Sequence, residues 1–181
     1  MLIAEKLEEL AAQHDLLCRT DKSPDSLDEI YLYSRDMQYR YAFARWWRAE
    51  GPLVLWVGLN PAKGDTERRP RPTLDRCIAR SRLLGGGGLI FANLFAARHN
   101  KPHGLRTTSD PVGPHNDAVL RALSELAEHT FVAWGAQGRL HSRAAAVVPL
   151  LRRPRCLGVT ANGQPRHPLY VRGDVVDQPW P

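Results

Sequence analysis

Several features that mark other classes of protein are scarce in this 181-residue sequence. Its three cysteines, Cys18, Cys77 and Cys156, are far apart and form no C-x-x-C pair. Such a set predicts neither a disulfide framework nor a metal site, and buried thiols in a reducing compartment are the simpler interpretation. No apolar run approaches the ~20 residues of a membrane-spanning helix, and residues 1–9 lack the basic-then-apolar layout of a signal peptide. We therefore expect a cytoplasmic protein without a membrane partner.

Acidic residues are also fewer than basic residues. The sequence has 19 Asp and Glu residues against 25 Lys and Arg residues, which gives a formal net charge of +6. Arginine supplies most of the positive charge, and its guanidinium favours bidentate contact with phosphate or carboxylate. This excess predicts an anionic partner, either nucleic acid or a nucleotide. The alternative is a soluble protein that is simply basic.

The most informative segment runs from Leu53 to Asp65. It begins with Leu-Val-Leu-Trp-Val, a short apolar run typical of a strand buried on both faces, and breaks at Gly58 and Pro61. In open parallel sheets, the loops that leave the carboxyl ends of strands line the ligand crevice. The loop after this strand holds an amide, a cation and a carboxylate, which are Asn60, Lys63 and Asp65.

Similar apolar runs alternate with helical patterns along the rest of the chain. Strands are predicted at 53–58, 89–92, 131–135 and 156–160. Helices are predicted at 72–84, 115–128 and 140–151. A surface helix at 2–17, a loop at 19–28 and an aromatic hairpin of 30–33 with 39–47 are predicted before them.

This order of elements is typical of the α/β class. We expect a three-layer fold with a mainly parallel, four-stranded sheet, to which the N-terminal helix and β-hairpin are added. One domain would cover residues 1–181. Within it, residues 1–50 would hold the N-terminal helix and hairpin, residues 51–172 the α/β core, and residues 173–181 a tail.

Two further patterns have more than one interpretation. The glycines Gly85 to Gly88 could cradle a phosphate, but they follow a helix and precede a strand. That order favours a helix cap and turn instead. Alternation of Tyr39, Tyr41 and Phe43 gives the hairpin one aromatic face, which is either part of the core or a platform for stacked bases.

Parallel strands place their carboxyl ends at one edge of a sheet, so four polar loops should meet there: 60–65, 93–98, 134–137 and 162–167. Asn and Pro favour turns for backbone reasons alone, but four such loops at matching positions favour a ligand site. Covalent catalysis by a hydrolase or transferase has little support. The 134–138 loop has no serine, Cys77 falls within a predicted helix, and the neighbours His141 and Ser142 do not have triad geometry.

Several short motifs occur together between about Tyr31 and Val171. They are Tyr39-Arg40-Tyr41, Gly58-Leu59-Asn60-Pro61, Asp65, Pro72-Thr73, Asn93-Leu94-Phe95-Ala96-Ala97-Arg98, Trp134-Gly135 and Gly163-x-Pro165-x-His167-Pro168-Leu169-Tyr170. Jointly they closely resemble an uncharacterised bacterial family known as domain of unknown function 1643. That resemblance provides a signature but no established activity.

A more distant resemblance is to the uracil-DNA glycosylase superfamily. Its members have a G-x-[DN]-P loop that positions or activates water, a strand-ending Asn that binds the base, an [L/A]-W-G strand, and an H-P loop that supplies a His to the leaving base. The same order occurs here as Gly58-Leu59-Asn60-Pro61, Asn93, Ala133-Trp134-Gly135 and His167-Pro168. The resemblance implies a uracil-DNA-glycosylase-like fold and scission of an N-glycosidic bond. We expect no cofactor.

The same resemblance implies roles for individual residues. Asn60 would orient water, Asp65 could act as a general base, Asn93 would read the edge of the base, and His167 would stabilise the departing base. His167 has a structural alternative, packed against the sheet edge. Asp65 and Thr73 could instead only cap the helix that starts at Pro72.

Other residues would hold the ligand. Phe95 or Trp134 could stack on an extruded base, and Lys63 and Arg98 are further candidates for ligand contact. The arginines that could hold phosphates are Arg68, Arg69, Arg71, Arg76 and Arg80.

Two positions differ from the glycosylase pattern. Ala62 stands where those enzymes usually have Tyr or Gly, and the residues after His167 lack the Ser-Pro extension that grips DNA. Two hypotheses of function follow: a glycosylase-like enzyme that acts on a nucleobase in nucleic acid or a nucleotide, and a non-catalytic nucleic-acid or nucleotide-binding module.

Overall fold

The computed structural model describes residues 2–63, 71–101 and 103–180. Its helices are α1 (Leu2–Gln13), α2 (Pro72–Leu83), α3 (Gly104–Thr107), α4 (Asn116–Leu126) and α5 (Arg143–Val147). Its strands are β1 (Leu17–Lys22), β2 (Asp28–Tyr33), β3 (Arg40–Trp46), β4 (Leu53–Gly58), β5 (Gly88–Asn93), β6 (His129–Val132), β7 (Arg155–Cys156) and β8 (Gln178–Pro179). Short 3₁₀ segments occupy Ala136–Ser142, Val148–Leu150 and Pro168–Tyr170. None of the described helices is long and apolar enough to cross a membrane.

The eight described strands form one mixed sheet in the order β1-β2-β3-β5-β4-β6-β7-β8. The four strands predicted from apolar runs are its parallel part, since β5, β4, β6 and β7 are successive parallel neighbours. The antiparallel strands β1 to β3 join this part beside β5, and β8 is antiparallel to β7. Four of the seven pairings are therefore antiparallel. The α/β class is confirmed, but the prediction of a mainly parallel, four-stranded sheet is wrong.

The additional strands have weak sequence signals. β1 is a polar edge strand, and most of its side chains are exposed, so it lacks the apolar alternation of a half-buried strand. The sequence instead predicts a helix to residue 17, whereas α1 ends at Gln13 and the chain turns at Asp15, where φ is +50°. β8 has only two residues and lies in the predicted tail.

The predicted helix at 140–151 is also interrupted. Only Arg143–Val147 is α-helical, and 3₁₀ segments lie on either side. His141 and Ser142 have φ values of +52° and +54°, which a right-handed helix does not allow. Pro149 then limits the last turn because proline has no backbone N–H to donate.

Alternate residues of the parallel strands face two separate cores. Leu55 and Val57 of β4 belong to the core that also contains buried residues of α1 and α4. Val54 and Trp56 of the same strand belong to the core covered by α2. Both faces of the central sheet are thus covered by helices, which explains why β4 is apolar throughout.

The glycine run closes α2 and begins β5, as the sequence predicts. Gly85 has φ of +76°, and the backbone N–H of Gly86 donates to the Ser81 carbonyl at 2.8 Å. The Trp47 indole N–H donates to the Gly86 carbonyl at 2.9 Å. The run therefore lies at the amino ends of the parallel strands, away from the polar loops.

A buried ion cluster joins the antiparallel strands to the start of α2. The Glu29 side chain is only 2% exposed, and it accepts hydrogen bonds from Arg45 Nε at 2.8 Å and from the Tyr31 hydroxyl at 2.7 Å. Arg71, which precedes α2, has Nη2 3.5 Å from the same carboxylate. Because Glu29 is buried with several partners, its removal would leave the buried Arg45 guanidinium uncompensated.

We expect Glu29→Ala to lower the free energy of unfolding by about 3–5 kcal/mol, the usual cost of removing one member of a buried ion pair. Urea denaturation followed by circular dichroism measures this loss. Asp174→Ala is the matched control, because it removes an exposed ion pair with Arg172 and should have little effect. Equal losses for the two variants would contradict the structural role of the cluster.

Candidate functional site

The order of the parallel strands reverses at β4. From β4 the chain crosses to β5 on one side and later returns to β6 on the other. In open α/β sheets, ligands bind outside the carboxyl ends of the strands at such a reversal. Hydrogen bonds join the strand ends here: Ala133 N–H donates to Val57 O at 2.8 Å, and Leu94 N–H donates to Gly58 O at 2.9 Å. We call this region the edge site and define it by Gly58, Asn93, Trp134 and His167.

Gly58 lies directly opposite Asn93 in the pairing of β4 and β5. A Cβ atom at Gly58 would lie 2.9 Å from Asn93 Oδ1 and 2.8 Å from Phe91 Cε1. Contacts this short would force both side chains to move. The absence of a side chain at position 58 therefore provides the space for the Asn93 amide.

Asn93 has the most informative geometry in the edge site. Its side chain is only 2% exposed, and its Nδ2 has no hydrogen-bond partner among the described residues. Burying an amide donor without a partner costs about 1–3 kcal/mol. This unpaired donor lies at the carboxyl end of a strand beside the reversal point, and, like the Trp134 ring, it reaches a ligand only if neighbouring groups move.

Two residues that the sequence analysis did not select hold the backbone at Asn93. Asn116 Nδ2, at the start of α4, donates to the Asn93 carbonyl at 3.1 Å and to the Leu94 carbonyl at 2.9 Å. Arg143 Nε donates to the Leu94 carbonyl at 2.7 Å, and its Nη2 pairs with Asp117. A buried Asn at the first position of an apolar helix was the available signal for Asn116. Arg143 has no comparable signal.

Asn60 holds the loop after β4. Its Nδ2 donates to the His99 carbonyl at 2.7 Å and to the Pro61 carbonyl at 3.1 Å. The backbone N–H of Lys63 also contacts this segment, since it donates to Asn100 Oδ1 at 2.8 Å. Asp65 lies outside the described residues, so its assignment as a general base stays a prediction. The water-orienting role of Asn60 also stays a prediction.

Arg98 lies beside a cleft of about 490 Å³. Its guanidinium donates to the Met37 carbonyl at 3.0 Å and to the Lys63 carbonyl at 2.6 Å, and it lies 5.2 Å from the centroid of the Tyr33 ring. Lys63 lines the same cleft. These contacts join the loop after β4 and the hairpin to the loop after β5, and ligand contact by Lys63 and Arg98 stays a prediction.

The two aromatic residues selected for base stacking are buried. Phe95 has no exposed surface, and Trp134 is 2% exposed. The Trp134 indole N–H donates to Gln164 Oε1 at 2.9 Å, and its ring meets the Trp180 ring edge-on at 6.0 Å. Neither ring presents a face to a ligand in this structure, so stacking on Phe95 or Trp134 stays a prediction that requires the side chain to move.

His167 precedes the Pro168–Tyr170 turn and is half-buried. Its Nδ1 accepts a long hydrogen bond from the Leu169 N–H at 3.4 Å, which assigns the proton of the neutral ring to Nε2. Its Cβ lies 3.5 Å from the position that a Cβ would take at Gly135, so the His167 side chain begins beside the loop after β6. Burial lowers the pKa of His167 below its usual value of 6.5. The ring is therefore a neutral donor at pH 7.

The arginines selected for phosphate contact divide into two groups. Arg68 and Arg69 lie outside the described residues. Arg71 contacts Glu29. The cap predicted for Thr73 is not formed, because no side-chain hydrogen bond from the described residues caps the amino end of α2. Arg76 and Arg80 donate to carbonyls of the C-terminal segment, those of Val171 at 3.4 Å and Val175 at 3.0 Å respectively. Burial lowers the pKa of Arg80. Phosphate binding by these residues stays a prediction.

Comparison with known proteins identifies a family. The sequence model described as "Protein of unknown function (DUF1643)" matches residues 40–169. The chain belongs to this family. The matched region includes every residue that defines the edge site and ends just after His167. No curated protein and no solved structure shows a significant match to the chain.

The two buried asparagines should respond differently to truncation. Asn116→Ala removes two hydrogen bonds to backbone carbonyls, so we expect it to lower the free energy of unfolding by about 1–3 kcal/mol. Asn93→Ala removes an amide nitrogen without a partner, so we expect a smaller loss or none. Urea denaturation of both variants measures the difference. A larger loss for Asn93→Ala would show that its amide is chiefly structural.

His167 should titrate below pH 6.5 with Nε2 protonated in its neutral form. Because the folded pKa is the lower one, the unfolded chain binds more protons between the folded pKa and 6.5. Stability should therefore fall as pH decreases through that range, and His167→Gln should remove this part of the pH dependence. Two-dimensional ¹H–¹⁵N NMR across a pH titration measures the pKa of His167 and shows which ring nitrogen carries the proton. The His167 signal is assigned as the one missing from the His167→Gln spectrum. A midpoint at or above 6.5, or protonation of Nδ1, would contradict the assignment.

Proposed function

We propose that the edge site recognises a nucleobase in a nucleic acid or nucleotide. The observation that carries this proposal is the buried, unpartnered amide nitrogen of Asn93 at the carboxyl end of β5. A side-chain amide presents a donor and an acceptor in one plane. That pattern matches the neighbouring donors and acceptors along the edge of a base.

Two further properties favour the same ligand. His167 would add a second fixed donor, its Nε2–H, from the loop that follows β7. The net charge of +6 and the cations at the same edge, Lys63 and Arg98, favour a ligand that carries phosphate. The distant sequence resemblance to the uracil-DNA glycosylase superfamily implies the same substrate class, and it implies base-binding roles for Asn93 and His167.

An N-glycosidic hydrolase is the catalytic form of this proposal. Water would add across the bond between base and sugar, so that its hydroxyl joins the sugar carbon and its proton goes to the base nitrogen. The His167 Nε2–H would stabilise the negative charge that develops on the departing base. Asp65, or Asn60 through its amide oxygen, would orient the water.

A non-catalytic binding module is the second candidate, and Asn60 favours it. The Asn60 amide nitrogen donates to two backbone carbonyls, so this side chain stabilises the loop after β4. A protein could keep the base-binding residues of the edge site without the water-activating group. The two candidates share a ligand and differ only in whether the glycosidic bond breaks.

Incubation with single- and double-stranded oligonucleotides that contain uracil or hypoxanthine should distinguish the candidates. Chromatography measures base release, and fluorescence anisotropy measures binding. We expect wild-type protein to bind, and Asn93→Ala and His167→Ala each to weaken binding or release at least about tenfold, a loss of ~1.4 kcal/mol.

Gln13→Ala and His129→Ala are the matched controls, because they remove the same chemical groups away from the edge site. Base release that is lost in both edge-site variants supports the hydrolase. Binding that weakens steeply with salt, without release, supports the module. Absence of both binding and release, or equal activity in all variants, overturns nucleobase recognition.

A further inference from the structure

An exposed aromatic side chain lies next to the edge site. Tyr170 is 80% exposed, and it is the one aromatic residue among the large apolar side chains that are exposed in the described part of the chain. Its ring centroid lies 5.6 Å from that of His167. In the sequence Tyr170 is only part of a motif, and the two rings predicted to stack on a base, Phe95 and Trp134, are buried.

The position of Tyr170 is fixed by its neighbours. Its N–H donates to the His167 carbonyl at 3.0 Å, within the Pro168–Tyr170 turn. Pro168 before it and Val171 after it are both buried. The backbone is thus held on each side while the ring stays in solvent. The main chain therefore loses little conformational freedom when the ring contacts a ligand.

Arginines flank Tyr170 in the sequence. Arg166 and Arg172 are exposed on either side of it, and Arg76 donates from α2 to the carbonyl of the next residue, Val171. Arg172 pairs with Asp174, but both side chains are exposed, so the pair is weak and can exchange for a phosphate. An open aromatic ring among cations is the combination that binds single-stranded nucleic acid, in which bases stack and phosphates follow on each side.

We infer that Tyr170 stacks on a base adjacent to the one held at the edge site, so that the ligand is a single strand of nucleic acid and not a free nucleotide. This inference rests on the proposed function. A mononucleotide has one base, which the edge site would hold. It has no second base for Tyr170 and no phosphates beyond it for Arg166 and Arg172.

Fluorescence anisotropy with labelled random-sequence DNA and RNA strands of roughly 12 nucleotides, within known site sizes, tests this inference. We expect Tyr170→Ala to weaken strand binding about 5- to 100-fold and Tyr170→Phe to keep most of it. Val176→Ala, which truncates another exposed apolar side chain six residues further along the chain, should have no effect. Because Tyr170 is exposed, both Tyr170 variants should keep the wild-type melting temperature.

Competition by a mixture of nucleoside monophosphates separates this inference from the proposed function. If mononucleotides bind at an Asn93-dependent site and strands bind no more tightly, the stacking role of Tyr170 is overturned but nucleobase recognition stands. Equal strand binding by Tyr170→Ala and wild type also overturns it, as does preference for duplex over single strand. If neither ligand binds, the proposed function fails as well.

Discussion

The edge site depends on the register that places Gly58 opposite Asn93. Side chains alternate between the faces of a strand, so a shift of one residue would move every side chain of β4 to the other core. Specific contacts of β4 side chains oppose that shift: the Trp56 ring stacks on Phe131 at 4.5 Å, and its indole N–H donates to Ser81 Oγ at 3.0 Å. The site is therefore positioned by packing within the sheet as well as by its own polar contacts.

Buried polar groups in this protein differ in how fully they are hydrogen-bonded. Glu29 is buried with Arg45 and Tyr31 as direct hydrogen-bond partners, and Asn116 gives both protons of its amide to backbone carbonyls. Those groups stabilise the fold. Asn93 is equally buried, but its amide nitrogen has no partner in the described part of the chain. The amide oxygen of Asn116 is also without a partner there, so the position of Asn93 at a strand end, and not the missing partner alone, distinguishes it.

The sequence predicts the location of the site better than the roles of its residues. Continuous apolar runs identify β4, β5 and β6 because a strand that is buried on both faces has mostly apolar side chains along its whole length. The polar loops at their carboxyl ends follow directly. Which way each loop side chain points depends on contacts from distant segments. Arg76 and Arg80 were selected for charge but meet carbonyls of the C-terminal segment, and the Trp134 ring is covered because Trp180 packs against it.

The C-terminal segment explains why His167 and Tyr170 are held in place. On the N-terminal side of their turn, Val159 pairs with Pro165. On the C-terminal side, Arg76 and Arg80 bind the segment after Tyr170, and Arg155 pairs with Asp177 beside β8. The turn is thus fixed at both ends by residues far apart in sequence. A turn whose main chain is already in position loses little backbone entropy when its side chains bind a partner.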